Sequence, residues 1–203
     1  MLAGFASLFL LVRPAPILIP TPVQFTPFAS DYTPPPTFTP LPRPTDPHGG
    51  RIAFTCTRGD FNQLCMINRD GTGLTQLSDM EASSYYPTFT PDGSSLLFAS
   101  NRNGSFDLYL LLFSEKQLFQ LTENVGNVVS PDYSPDGHRI VFANQAGDGP
   151  ASIWTVNSDG LNPHLVYAGA NTIVAVAWSA DGEKIAYAMS VGIPQEYEIF
   201  TMD

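Results

Sequence analysis

The chain has 203 residues, 43% of them apolar and 14% charged, and its 19 acidic against 9 basic side chains give a formal net charge of −10. That balance argues against nucleic acid as a partner, because such binding rests on neutralising phosphates with Lys and Arg. Its three histidines, His48, His138 and His164, fall at unrelated places, and no His/Cys spacing of the kind a zinc site needs is present.

From the N-terminus, Met1 to Val12 is almost wholly apolar, followed by Arg13. Twelve helical residues span about 18 Å, short of the roughly 30 Å hydrocarbon core of a bilayer. The length fits the apolar region of a signal peptide, but the leading positive charge and an Ala-x-Ala cleavage site are missing. Residues 1–13 therefore read as the remnant of a longer signal or anchor, and any membrane contact is expected through this segment alone. Residues 14–47 hold 12 of the 19 prolines, six threonines and three charges. Such a stretch cannot form a core. Repeated Thr-Pro and the run Pro34-Pro35-Pro36 favour polyproline II, a semi-rigid spacer of about 3.1 Å per residue.

From residue 48 to 203 the chain repeats itself. Phe89-Thr-Pro-Asp-Gly93, Tyr133-Ser-Pro-Asp-Gly137 and Trp178-Ser-Ala-Asp-Gly182 stand 44 and then 45 residues apart. Ile52, Leu96, Ile140 and Ile185 share the period, each with an aromatic two places on (Phe54, Phe98, Phe142, Tyr187), which is the alternation of a strand. A second alternating run carries Leu64, Leu108, Ile153 and Ile199. A third, short one ends at Gln76-Leu77-Ser78, Gln120-Leu121-Thr122 and His164-Leu165-Val166. With the run that ends in the aromatic before each Asp-Gly, every unit has four strands.

Four short antiparallel strands recurring every 40 to 45 residues or so are the signature of a β-propeller, an all-β fold. One four-stranded sheet cannot cover both of its faces, so each blade must stack on the next. The motif residues are assigned to structure: Pro91, Asp92 and Gly93, Pro135, Asp136 and Gly137, and Asp181 and Gly182 make a hairpin corner. In it proline presets φ, aspartate suits the second corner and glycine accepts positive φ. Phe89, Tyr133 and Trp178 close the strand before it. Asn103-Gly104 predicts a two-residue hairpin between the second and third strands of its unit.

The order of aromatic, Ser/Thr-Pro-Asp-Gly, Ile-x-Phe strand, Leu/Ile-Tyr/Trp, Asp-Gly turn and closing Leu-Thr resembles the propeller repeat of the TolB family. The likeness covers residues 48 to 203, with the first unit degraded to Pro47-His48-Gly49. The first unit lacks a recognisable inner strand and the last stops before its outer one, so about four blades are expected, two of them incomplete. Families similar to this one usually close with six, which implies either an open arc or closure of the two partial sheets on each other. In the open arc, the apolar faces near Ile52/Phe54 and Ile185/Tyr187 are expected to lose a neighbour and drive self-association.

Cys56 and Cys65 lie on the second and third strands of the first unit. The register carried back from Asn103-Gly104 sets Cys65 opposite Phe54 and Cys56 opposite Gln63, a diagonal of about 7 to 8 Å that exceeds usual disulfide reach. Packing explains the pair, since Ser100 and Tyr109 stand there in the next unit; a bulge in an oxidising compartment would bring them together. Asn68-x-Asp70-Gly71-Thr72-Gly73 resembles a calcium loop but lacks its remaining oxygen ligands and closing glutamate, so it reads as a turn. No Gly-x-Ser-x-Gly, Walker-type or His-Glu-x-x-His motif occurs. The sequence thus calls for no catalytic residue, metal or cofactor, and favours a non-enzymatic, extracytoplasmic module that binds a protein or peptide. Two alternatives stay open: the gating propeller of a prolyl-oligopeptidase or dipeptidyl-peptidase type serine peptidase, and the sensor of a membrane-anchored signalling protein.

Overall fold

Short, nearly continuous apolar runs such as Leu96-Leu97-Phe98-Ala99 and Leu108-Tyr109-Leu110-Leu111-Leu112, separated by turn residues, give strands that can be buried on both faces. A computed structural model describes residues 50–145, 151–192 and 196–203; the apolar segment 1–13 and the linker 14–47 lie outside the described residues. The first sheet contains β1 (Arg51–Arg58), β2 (Phe61–Asn68) and β3 (Thr75–Gln76). The second contains β4 (Ser84–Phe89), β5 (Ser95–Ser100), β6 (Asp107–Leu112) and β7 (Gln117–Gln120). The third contains β8 (Val128–Tyr133), β9 (Arg139–Asn144), β10 (Ala151–Asn157) and β11 (His164–Gly169). The fourth contains β12 (Ile173–Trp178), β13 (Ile185–Val191) and β14 (Glu196–Met202). Every sheet is antiparallel with neighbours in chain order, as the repeat predicts for propeller blades.

The period-two pattern places the core between sheets. Along β5 and β6 the pairs Leu96–Leu111 and Phe98–Tyr109 share one face, and Leu97–Leu110 and Ala99–Leu108 the other. The first set joins Leu64 in the seam between the first and second sheets. The second set meets Tyr133, Ile140 and Phe142 in the seam between the second and third. Val141, Ala143 and Ile153 then pack on Ile173, Val176, Ile185 and Tyr187 of the fourth. At roughly 1.5 to 3 kcal/mol for each fully buried large apolar side chain, these three seams dominate the stability of the arc.

Among the described residues the first sheet lacks the inner strand and the last the outer one, as expected. The third strands depart in detail. β3 and β7 end at Gln76 and Gln120, and Leu77 and Leu121 continue the pairing only through single amides, to the carbonyls of Leu64 and Leu108. β11 instead starts at His164 and runs on to Gly169, because a register shift between Ile153 and Trp154 slides the outer pairing of that sheet. The ladder around Asn103-Gly104 has the expected register but stops at Ser100–Asp107, so the connection is six residues long rather than two. In the first sheet the ladder runs to Arg58–Phe61 and the short turn is Gly59-Asp60.

Two expectations are corrected. Cys65 does face Phe54 and Cys56 does face Gln63, yet the two Cα atoms are 5.9 Å apart and the sulfurs are bonded to each other. The flat-ladder diagonal overestimates the gap, because the right-handed twist of paired strands shortens one diagonal. The bare face of the last sheet is also not the one near Ile185 and Tyr187, which are 3% and 9% exposed against the third sheet. It is the opposite face, where Ile199 is 80% exposed although its counterparts Leu64, Leu108 and Ile153 are all at 0%. At the other end Ile52 is 53% exposed while Ile140 is at 0%.

Such faces drive association. Light scattering on the whole chain at micromolar concentration is expected to show dimers or larger species, and Ile52→Asp with Ile199→Asp to shift it toward monomer. A parent chain that is monomeric with a cooperative melt counts against open ends.

Candidate functional site

Each sequence motif residue sits at a corner joining an inner strand to the next. Gly93, Gly137 and Gly182 have φ of 71°, 73° and 74°, and their amides close the turn on the carbonyls of Thr90, Ser134 and Ser179. Around them the aspartate acts as a clamp. Oδ1 of Asp136 accepts from the Ser134 hydroxyl at 2.6 Å and the His138 amide at 3.0 Å, and Ser134 Oγ in turn accepts from the Arg139 amide at 2.9 Å. Asp92 repeats this with Thr90 and Ser94, and Asp181 with Ser179 and Glu183.

Hydrogen bonds to the carboxylate favour its charged form. The Ser134 hydroxyl and His138 amide hold Asp136 below its usual range, and the Ser179 hydroxyl and Glu183 amide do so for Asp181. For Asp92 burial pushes upward, but Thr90 and Ser94 outweigh it and the net direction is down. Asp70 takes the same kind of turn, accepting from the Thr72 hydroxyl and amide, and the hydroxyl lowers its pKa. The calcium-like stretch is therefore a turn.

The motif aromatics Phe89, Tyr133 and Trp178 pack in the seams between blades. The Arg139 guanidinium lies 4.7 Å from the centre of the Trp178 ring on the next blade. Arg51, 88 positions earlier in the repeat register, lies 5.9 Å from Phe89 and 5.0 Å from Phe113. A cation over an aromatic face ties blade to blade at the corner end of the fold. Beside Trp178 a groove of about 230 Å³ separates the third and fourth blades, bordered by Arg139, His164, Glu183 and Asp203.

The inner strands form the other candidate surface. Each carries a register shift, between Tyr85 and Thr88, Val129 and Asp132, and Ile173 and Ala175. Within two of these bulges a non-glycine residue takes positive φ, Tyr86 at 56° and Ser130 at 50°, each just before a proline. Ser130 Oγ lies 3.4 Å from both the nitrogen and the oxygen of Val176. Asp132 accepts from the Trp178 amide at 2.9 Å. Burial pushes the Asp132 carboxyl upward, against hydrogen bonds from the Trp178 amide and the Thr88 hydroxyl. Ser130 and Asp132 thus couple adjacent inner strands.

Tyr86 is different, for its side chain is 44% exposed. With Tyr85, Phe106, Asn127, Val128 and Val129 it borders a slot of about 100 Å³ at the end of the fold opposite the Asp-Gly corners. The Tyr85 ring lies 5.9 Å from Tyr86 and 5.6 Å from Phe106, and its hydroxyl is fixed by the Asn62 amide at 2.7 Å. The sequence reading missed this slot. Its signal was the pair Tyr86-Pro87 and Ser130-Pro131, which keeps the 44-residue period. Among the described residues no group of three His, Cys, Asp or Glu side chains is placed to hold a metal ion.

Residues 42–153 match the TolB beta propeller domain. That is more than half of the chain, and the chain belongs to this family. Among solved structures it is similar to a putative TolB from Agrobacterium tumefaciens (TM-score 0.66, 22% identity, 75% of this chain and 57% of that one). It is likewise similar to TolB from Acinetobacter baumannii (TM-score 0.63, 18% identity, 74% and 38%). In sequence, 46 residues are 39% identical to Dipeptidyl-peptidase 5 of Porphyromonas gingivalis, covering 23% of this chain and 7% of that protein. The chain therefore spans less than two thirds of the length of each of these relatives, and at such identities the solved structures share the fold alone.

Two outcomes test the corner chemistry. Gly137→Val forces a β-branched residue to φ near 73° and is expected to cost about 1 to 3 kcal/mol, read from denaturant melts. Asp136→Asn is expected to lower stability at pH 7 by about 0.5 to 1.5 kcal/mol through its weakened hydrogen bonds. Because the Asp136 pKa is lowered on folding, its contribution is present above the ordinary value of 3.8 and fades as pH falls through the folded value. The gap between parent and variant melts should then close below that pH; a gap constant from pH 7 to 2.5 contradicts the clamp.

Proposed function

We propose that this chain is a non-catalytic, extracytoplasmic propeller that holds a protein or peptide segment at the slot-bearing end of its inner strands. The observation that carries the reading is Tyr86: a bulky side chain kept at positive φ, in a bulge that turns it outward beside an aromatic slot. Strain of that kind is retained where the surrounding structure needs the side chain aimed. A slot of about 100 Å³ is small against the roughly 300 to 1,000 Å³ of small-molecule sites and suits one side chain of an extended segment.

The Cys56–Cys65 bond supports an extracytoplasmic compartment, since disulfides persist in oxidising surroundings. Residues 1–13 serve in this reading as signal or anchor and 14–47 as the spacer. Capture of a protein from a cell-envelope extract by the whole chain, and its loss with Tyr86→Ala, is the expected result. An empty capture, or one unchanged by Tyr86→Ala, overturns the reading.

The likeness to Dipeptidyl-peptidase 5 favours a second reading, in which the propeller restricts access to a peptidase domain. The coding sequence downstream of Asp203 separates the two. A Gly-x-Ser-x-Gly there supports the peptidase, and further Pro-Asp-Gly units support the binding propeller.

A further inference from the structure

We propose that the aromatic slot at Tyr86 is a docking site for this chain's own proline-rich segment, with the run Pro34-Pro35-Pro36 as the occupant. The inference rests on the reading of that slot as a peptide site and names its resident ligand.

Three observations point to this occupant. The first is chemistry. Polyproline segments are recognised by grooves walled with aromatic rings, because the helix is already extended and loses little entropy on binding. Tyr85, Tyr86 and Phe106 supply such walls, and Asn127 also borders the slot. The slot holds one small ring rather than a long side chain.

The second is reach. The described chain begins at Gly50, whose carbonyl accepts from Arg69 at the corner end of the first sheet, where Arg51 also reaches the Gly93 carbonyl. The slot lies at the opposite end, between the second and third blades. A six-residue strand is about 20 Å long, and one and a half sheet spacings add about 15 Å. The fourteen residue steps from Pro36 to Gly50, at the roughly 3.1 Å rise that the composition favours, would cover about 43 Å, enough for the run to reach the slot by a path over the edge of the propeller.

The third is concentration. A tethered segment faces its site at an effective concentration on the order of millimolar, so a weak contact suffices to fill it. With a net charge of only −1 from Asp31, Arg43 and Asp46, residues 14–47 meet little repulsion from the acidic fold. An external partner would have to displace the segment, which makes the slot self-occupied until a tighter peptide arrives.

The test uses the full chain with a benzophenone amino acid at position 86, which keeps an aromatic ring at that place in the slot wall. After irradiation of an equal mixture of heavy-isotope and ordinary protein, mass spectrometry of the digest maps the links. Same-isotope links to residues 27–42, unchanged on tenfold dilution and reduced severalfold by Pro34→Ala/Pro35→Ala/Pro36→Ala, are expected. Mixed-isotope links, links elsewhere, or none overturn the proposal. A second measurement leaves residue 86 intact: the amide resonances of Asn127 to Val129 should shift between the parent and the triple-alanine chain, and identical resonances also overturn it. If docking fails while Tyr86→Ala still abolishes capture of an envelope protein, only the resident ligand is wrong and the slot's binding role stands.

Discussion

Everything in this fold depends on sheet faces that cannot be left in water. β5 and β6 are apolar on both sides, so the second sheet is stable only when sandwiched. The same demand passes from sheet to sheet along the chain. Three seams meet it, and at the two ends, where the described residues offer no further sheet, Ile52 and Ile199 stand in solvent at positions that are buried inside the arc. The repeat is thus a rule for stacking, with the corner aspartates and the arginine–aromatic pairs holding each blade at the angle that stacking needs.

The two ends of the arc's inner wall do different work. At the corner end, Asp92, Asp136 and Asp181 spend their hydrogen-bonding capacity on local hydroxyls and amides, and Trp178 is covered by Arg139. Little is left there for a ligand except the groove between the last two blades. At the opposite end the bulges diverge. Ser130 uses its bulge to bond Val176, whereas Tyr86 uses the equivalent bulge to present a ring. One backbone device, repeated at 44 residues, thus bonds a neighbouring strand in the third blade and presents an exposed ring in the second.

The Cys56–Cys65 bond joins both themes. It stands where the second blade carries Ser100 and Tyr109, both in contact with Arg102. In the first sheet, which has a neighbour on only one described side, a covalent link replaces contacts that packing supplies elsewhere. It also fits the extracytoplasmic setting proposed for the chain.

The sequence by itself determined the all-β class, the four-unit count, the incomplete first and last units and the chemistry of each Asp-Gly corner. Those features arise from local alternation and from turns whose residues are three or four apart, so their physics is contained in the string. The register of the first hairpin was legible too, since one repeat reports on another. What the tertiary structure decided was distance and direction. The twist of paired strands brought Cys56 and Cys65 within bonding range. The hand of the stacking chose which face of the fourth sheet is bare, burying Ile185 and exposing Ile199. The slot at Tyr86 needed both a bulge and the convergence of two blades, with Phe106 and Val128 brought beside a strand 20 and 42 residues earlier in the chain. Period and turn propensity are properties of neighbours along the chain, whereas twist, facing and enclosure exist only once the sheets have packed.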